Sequence, residues 1–405
     1  NISNIYTSAD VTSGGHDVGG VIGTFYEVAK NYAASSVTDA VNIGSVSYAP
    51  RERDNLAEEL DIEDNWNELG VMDDAQGVRF GGIVGAGVTL RLTGGYNLGN
   101  ITARYGIGGV VGTLRSLDNS ATNYSLISQS FNTGEITATA GLYASSTSPN
   151  NYVQDFVTAY TGGITGRLVG RSSVNTSFNA GKVTSTYVAK VSDTDSQLEY
   201  VGMNGFLGIA ADDSATYIGA RGVGGIVGFT SYDPSATSQS GRMSISNVYN
   251  TGDVYSFAGV GGIAGYLAFG NISEAFNGGN ITAYGTHYDA ASQSRVNGGY
   301  MLSTGGGGET IYVAYLGAIV GRGINASLTA TVSFNMNSTY SGYTDPTVQA
   351  VGDSGYNAQF GFGANSSSAK ALASSQMRVV TQGTAPSGFD PTFDGGAWSF
   401  KLHND

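Results

Sequence analysis

Two short glycine-centred boxes alternate along this chain, and no other feature limits its fold as tightly. The first reads GGVIG at Gly19–Gly23, GGIVG at Gly81–Gly85, GGVVG at Gly108–Gly112 and GGITG at Gly162–Gly166. It returns as GGIVG at Gly224–Gly228, GGIAG at Gly261–Gly265 and GAIVG at Gly317–Gly321. The second reads YNLGNIT from Tyr96, FNTGEIT from Phe131, FNAGKVT from Phe178, YNTGDVY from Tyr249 and FNGGNIT from Phe276, with a looser VNIGSVS from Val41. The two alternate without exception, which is the signature of a repeat architecture.

The spacing gives the size of one unit. Gly81 to Gly108 is 27 residues, as is Asn250 to Asn277. A unit of that size, made of short β-branched runs broken by Gly and Asn, cannot bury its own apolar face. Stacked on copies of itself, it can. The chain is therefore expected to be all-β: a single β-solenoid, parallel β-helix-like, of about seven to eight rungs over residues 1–340. At ~4.8 Å per rung its core would be about 35–40 Å long. Residues 341–405, with Asp-Pro turns, a short helical candidate around Ala369–Met377 and a strand-like Trp398–Leu402, read as a C-terminal cap or docking segment.

The repeat positions carry specific expectations. In the first box (Gly81, Gly82, Ile83 and Gly85; Gly108 and Gly109; Gly224 and Gly225; Gly261 and Gly262) the third residue is always β-branched and should face inward. The fourth relaxes to Thr165 and Ala264 and should be less buried. In the second box, Asn97 with Gly99, Asn132 with Gly134, Asn179 with Gly181, Asn250 with Gly252 and Asn277 with Gly279 mark a turn. In the last copy, Asn337 replaces that glycine, which points to a left-handed backbone there. The preceding Asn either stabilises the turn or joins an amide ladder between rungs.

These GGIVG boxes resemble the GLUG repeat motif of bacterial secreted and surface proteins, including adhesins and non-catalytic parts of immunoglobulin A1 metallopeptidases. The resemblance covers roughly residues 6–337, with Ile or Val where the motif's name has Leu. It implies an extracellular repeat scaffold and does not imply an enzyme.

Composition narrows the partners. A formal charge of −14 argues against nucleic acid and anionic membranes. The absence of cysteine removes disulfides and thiolate metal sites. No apolar run reaches the ~18 residues of a membrane span. No HExxH exists, and His16, His287 and His403 are scattered. Gly352-Asp353-Ser354-Gly355 resembles a serine-protease nucleophile segment, but no histidine is placed to serve it. No catalytic residues and no cofactor are expected.

Insertions fall mainly between a second box and the next first box, near 50–74, 141–160, 187–220 and 285–312, so they should leave one edge of the solenoid. That edge should form the functional surface, with tyrosines such as Tyr143, Tyr152, Tyr160 and Tyr288. The first insertion is densely acidic, and its alternating Asp61, Glu63, Asn65 and Asn67 form a candidate calcium set, although Trp66 stands where a calcium loop needs glycine. Tyr6–Thr12 reads as a worn second box, so the chain opens in mid-unit. A solenoid edge invites further strands. The expected function is accordingly that of a non-catalytic extracellular subunit of a bacterial filament, sheath or layer. Head-to-tail self-contacts would use Tyr6 and Val11 at one end and Trp398 and Phe400 at the other. The alternatives are an adhesin segment that binds host or matrix carbohydrate or protein through its edge loops, and a polysaccharide lyase or hydrolase on a β-helix.

Overall fold

The computed structural model describes residues 1–26, 35–49, 77–116, 124–139, 160–185, 188–190, 217–219, 222–231, 243–256, 260–268, 270–283, 286–289, 294–297, 316–324, 326–335, 340–341 and 369–372. These residues form a β-solenoid. Each rung supplies one strand to each of four parallel sheets, here called A to D in chain order. In the first rung they are Ile2–Thr7, Val11–Ser13, Val18–Gly19 and Ile22–Tyr26. In the third they are Leu90–Asn97, Ile101–Ala103, Tyr105–Gly108 and Val111–Arg115. Sheets C and D have seven strands each, so there are seven complete rungs. An eighth continues in A and B with Ser327–Asn335 and Tyr340–Ser341. Antiparallel pairing among the described residues is confined to two small hairpins, Val188–Lys190 with Tyr217–Gly219 and Thr286–Asp289 with Ser294–Asn297.

Residues 369–372 correct the helical expectation. They form a further parallel strand on sheet A, with Val332 opposite Ala369 and Asn335 opposite Leu372. The open edge of the last long strand offers a row of unpaired backbone groups, and these outweigh the weak helical preference of a four-residue stretch.

Inside a rung, A and B run on from each other around the Asn-x-Gly corner, while C and D fold back on each other around the Gly-Gly tip. The main core lies between A and D: Leu92, Ile127, Val174, Ile245 and Ile272 from A meet Leu114, Leu168 and Leu267 from D. Phe80 of C packs edge-on against Tyr48, beside the end of B. The C/D arch thus enters the angle between A and B as a wedge, with its tip against the asparagine corner.

That geometry explains why the two boxes travel together. The second glycine of each first box has no room for a β-carbon, because the Asn side chain of the following second box occupies the space. Gly82 meets Asn97, Gly109 meets Asn132, Gly163 meets Asn179, Gly225 meets Asn250 and Gly262 meets Asn277. Each of these asparagines is fully buried. From Asn42 to Asn250, Nδ2 donates to the carbonyl of its own turn glycine and to Oδ1 of the next rung's Asn. The inter-rung bonds from Asn42 through Asn97, Asn132, Asn179 and Asn250 to Asn277 measure 2.9, 2.7, 2.8, 2.8 and 2.9 Å. Turn and ladder are therefore one structure, and both amide protons are used. Where the second glycine becomes Ala318, the backbone register slips and Phe334, not Asn335, falls opposite Asn277.

Two local expectations fail. The fourth residue of the first box is as buried as the third: Val84, Val111, Thr165, Val227, Ala264 and Val320 are all at 0 % exposure. It begins strand D, where the arch closes and both faces are covered. The second-box glycines do not have positive φ, and Asn337, which prompted that expectation, lies outside the described residues. They are required by close approach instead, since a β-carbon on Gly99 would run into the carbonyl of Gly44, and one on Gly134 into that of Gly99. Seven of the left-handed residues form a column along sheet A, where Asn4, Asp39, Gly94, Gln129, Thr176, Asn247 and Glu274 stack in register with φ from 45° to 72°. Each puts a bulge in its strand, so that two successive side chains, such as Thr38 and Asp39, turn away from the core.

Candidate functional site

The rungs hold their polar groups in structural service. Asp17 forms an ion pair with Arg79, whose side chain is 1 % exposed, and accepts from its Nη2 at 3.0 Å; that nitrogen also lies 3.3 Å from Nδ1 of His16. At the turns, Asp10 accepts from the Ser45 amide at 2.7 Å, and Asp253 accepts from the backbone and side chain of Asn280 at 3.0 and 2.9 Å. Among the described residues no three His, Cys, Asp or Glu side chains gather as a metal site would require.

On the outer face of sheet A, Tyr96, Phe131, Phe178 and Tyr249 stack along the axis with centroids 4.7, 5.0 and 4.8 Å apart. Phe131 and Phe178 have both faces against neighbouring rings and Tyr96 and Tyr249 have at least one, so the ladder offers little open ring face to a sugar. Burial raises the Tyr249 phenol above its ordinary value. Burial, and secondarily the charge of Asp39, raise that of Tyr96. A second aromatic group fills the space between C and D, where Phe229 stacks on Tyr266 at 4.7 Å and the Arg167 guanidinium lies 5.6 Å from the Tyr160 ring. Tyr160, Phe229 and Tyr266 are all buried, so this group too is core, and Tyr160, expected on the edge, instead begins a strand of sheet C with its ring packed inside.

The distinctive feature is where chain can be added. The corner between B and C is crossed by Arg104 alone in the third rung, from Ala103 to Tyr105. In the second rung the same corner runs from Tyr48 to Val78, in the fourth from Ala138 to Tyr160, in the fifth from Ser185 to Gly222 and in the seventh from Ala283 to Leu316. All four long insertions therefore root on one edge of the rod. The segments inserted at that corner hold 18 of the 32 acidic and five of the 18 basic side chains. Of 18 basic and 32 acidic side chains, the described residues hold eleven and seven, a net +4; the remaining residues hold seven and 25, a net −18.

The candidate calcium residues Asp61, Glu63, Asn65 and Asn67, the edge tyrosines Tyr143 and Tyr152, and the assembly residues Trp398 and Phe400 lie outside the described residues. Of the other two assembly residues, Tyr6 is 64 % exposed on the first strand of sheet A and Val11 is half-buried on the first strand of B. The sequence did not reveal the Arg79–Asp17 pair, because its members lie 62 residues apart outside either box.

No known protein family, no curated protein and no solved structure matches this chain. The likeness to GLUG-motif proteins rests on the boxes themselves. No helix among the described residues is long and apolar enough to cross a membrane.

Proposed function

We propose that this protein is a non-catalytic, extracellular scaffold of a bacterial surface. Its rungs hold a row of acidic inserted segments along one edge, where it adheres to host or matrix components. The observation that supports this reading is the separation of roles within a rung. The core between the sheets is buried and apolar and its asparagine ladder is internally bonded, while the four long segments inserted at one corner hold 18 of the 32 carboxylates. An edge of that charge suits basic protein surfaces, or glycans bridged by calcium, and its binding should weaken as salt rises. The test is adhesion of the purified protein to immobilised matrix proteins and glycans, with and without calcium, beside a variant whose four long insertions are shortened to tight turns. Loss of binding in that variant supports the reading. Equal binding by both proteins, or depolymerisation of a polysaccharide by the parent, defeats it.

A second reading, the head-to-tail filament, sheath or layer subunit, draws on the first rung. Ile2, Tyr6 and Tyr26 are exposed there at 37, 64 and 43 %, on strands with one unpaired side. Electron microscopy separates the two readings, since one expects rods joined end to end and the other single short rods.

A further inference from the structure

The first rung departs from the others at the two positions that govern stacking. From the second rung to the seventh, the turn residue after the buried Asn is Gly44, Gly99, Gly134, Gly181, Gly252 and Gly279. A β-carbon on any of them would come far inside 3.0 Å of a carbonyl in the rung before: Gly99 against Gly44, Gly134 against Gly99, Gly181 against Gly134, Gly252 against Gly181 and Gly279 against Gly252. Glycine is needed at this turn because another rung lies beneath it. The second rung obeys the same rule, since a β-carbon on Gly44 would meet the carbonyl of Ala9. Ala9 itself, the equivalent residue of the first rung, carries the β-carbon that the others lack.

The amide ladder ends at the same place. It runs one way, each Nδ2 donating forward, so the Oδ1 of Asn42 needs a donor from the rung before. Thr7 stands opposite Asn42, and its Oγ1 donates to that oxygen at 2.9 Å. A hydroxyl has one proton, and here it is used. An Asn at position 7 would instead aim its own acceptor oxygen out of the end of the ladder, awaiting a further rung.

We infer that the N-terminal face of this solenoid is a built terminus: the methyl of Ala9 blocks, and the hydroxyl of Thr7 closes, in-register stacking of any further rung, whether from this chain or from a second copy. The four strand edges of the first rung remain chemically open, as edges are. They are protected as natural sheets protect them, by side chains that make the wrong neighbour fit badly. A partner that covers Ile2, Tyr6 and Tyr26 must therefore lie out of register with the coil. The filament reading is narrowed accordingly, and the scaffold reading is left as it stands.

The test supplies a rung of the chain's own kind. A copy of residues 243–270 is fused before Asn1, so that Asn1 takes the place that Asn271 has after the original segment; Ile2 and Ile272 belong to one column of sheet A. The fusion is made on the parent chain, on Ala9→Gly and on the double variant Thr7→Asn/Ala9→Gly. Limited proteolysis reads whether the added segment is packed. The unfused variants must keep the parent's circular dichroism and melting, and a variant that does not is set aside in favour of the other. The added rung should be cleaved freely from the parent, and about tenfold or more slowly from the double variant, with Ala9→Gly between them. Equal protection on all three backgrounds would overturn the inference, because Ala9 and Thr7 would then not block. Equal cleavage on all three would also overturn it, because something else would be excluding the rung.

Discussion

Two corners of the same coil obey opposite rules. At the Asn corner, between sheets A and B, every rung from the second to the seventh keeps the same spacing, with Asn and Gly two residues apart. At the corner between B and C, the third rung uses one residue and the fifth uses all those from 186 to 221. The difference follows from what lies beneath. The Asn corner is pinned by a buried amide, by the arch glycine facing it and by the carbonyl of the rung before, so no atom can be added on any side. The outer corner has packed strands behind it and solvent before it. A loop leaves there at little cost, because lengthening a loop carries only a slowly growing entropy term. The first corner holds the rod together, and the second is free to vary.

The largest effect should come from breaking the pinned corner in mid-rod. Asn132→Ala removes the acceptor for Asn97 Nδ2 and the donors for Asn179 Oδ1 and the Gly134 carbonyl, three bonds of 2.7, 2.8 and 2.8 Å at a site of 0 % exposure. At ~1–3 kcal/mol for each stranded buried group, the loss should be about 4 kcal/mol by urea denaturation. Gly109→Ala attacks the same contact from the arch side and should cost a similar amount. Combined, the two should cost less than their sum, because the truncated Asn132 makes part of the room that the new β-carbon needs. A loss below about 1 kcal/mol for Asn132→Ala, or strict additivity, would mean that the corner is not pinned by this contact.

A smaller and more local loss is expected where the outer corner is anchored. Asp17→Ala strands the buried Arg79 guanidinium, at a cost of about 3 kcal/mol. Because each rung makes most of its contacts with its immediate neighbours, the damage should stay near the end of the rod. Hydrogen exchange should quicken in Ile2–Thr7 and Ile22–Tyr26 while Gly270–Asn277 keeps its protection. Uniform loss of protection along the rod would show that the rungs unfold as one unit.

Smaller again is the contribution of the outer aromatic ladder at high pH. Burial raises the Tyr249 phenol, so the folded chain resists ionisation that the unfolded chain undergoes near pH 10. The stability is therefore whole below about pH 10 and is lost as pH rises beyond it. Tyr249→Phe keeps the stack and should flatten that decline; an unchanged alkaline profile would place the sensitive group elsewhere.

Much of this comparison was legible in the sequence, because the pinned corner is made of residue types that few other structures need. Gly-Gly beside a β-branched residue, followed by an aromatic-Asn-x-Gly, predicted parallel rungs, and the variable spacing placed the insertions on one edge. What the sequence could not show was why each glycine is there. Asn337 in place of the last turn glycine suggested positive φ at that position, whereas close backbone contact requires the glycines. The residues that do adopt positive φ, among them Thr176 and Glu274, share no chemistry at all. Their bulge is imposed by the stack, so each sequence position alone is silent about it. The Arg79–Asp17 pair was hidden for a similar reason, since it depends on a register that only the folded coil sets.

The smallest effect should come from the free corner itself, and that is its most telling property. Excising residues 50–76 would join Ala49 to Gly77 and leave Ala49, Gly77 and Val78 between Tyr48 and Arg79. The first rung makes the equivalent passage, from Ser13 to Asp17, with three residues as well: Gly14, Gly15 and His16. Both root amides keep their partners in the first rung, Ala49 donating to the Ser13 carbonyl at 3.1 Å and Gly77 to that of Gly15 at 2.8 Å. No described contact is lost, so the change in stability should stay within about 0.5 kcal/mol, the usual range for surface changes. Charge would change far more than stability. The excised segment holds ten carboxylates and two arginines, so the formal net charge moves from −14 to −6. If the edge binds as proposed, adhesion to basic surfaces and its salt dependence should weaken together while melting stays put. A large loss of stability would instead make this insertion part of the rod, and the contrast between the two corners would fail at the place where it predicts least.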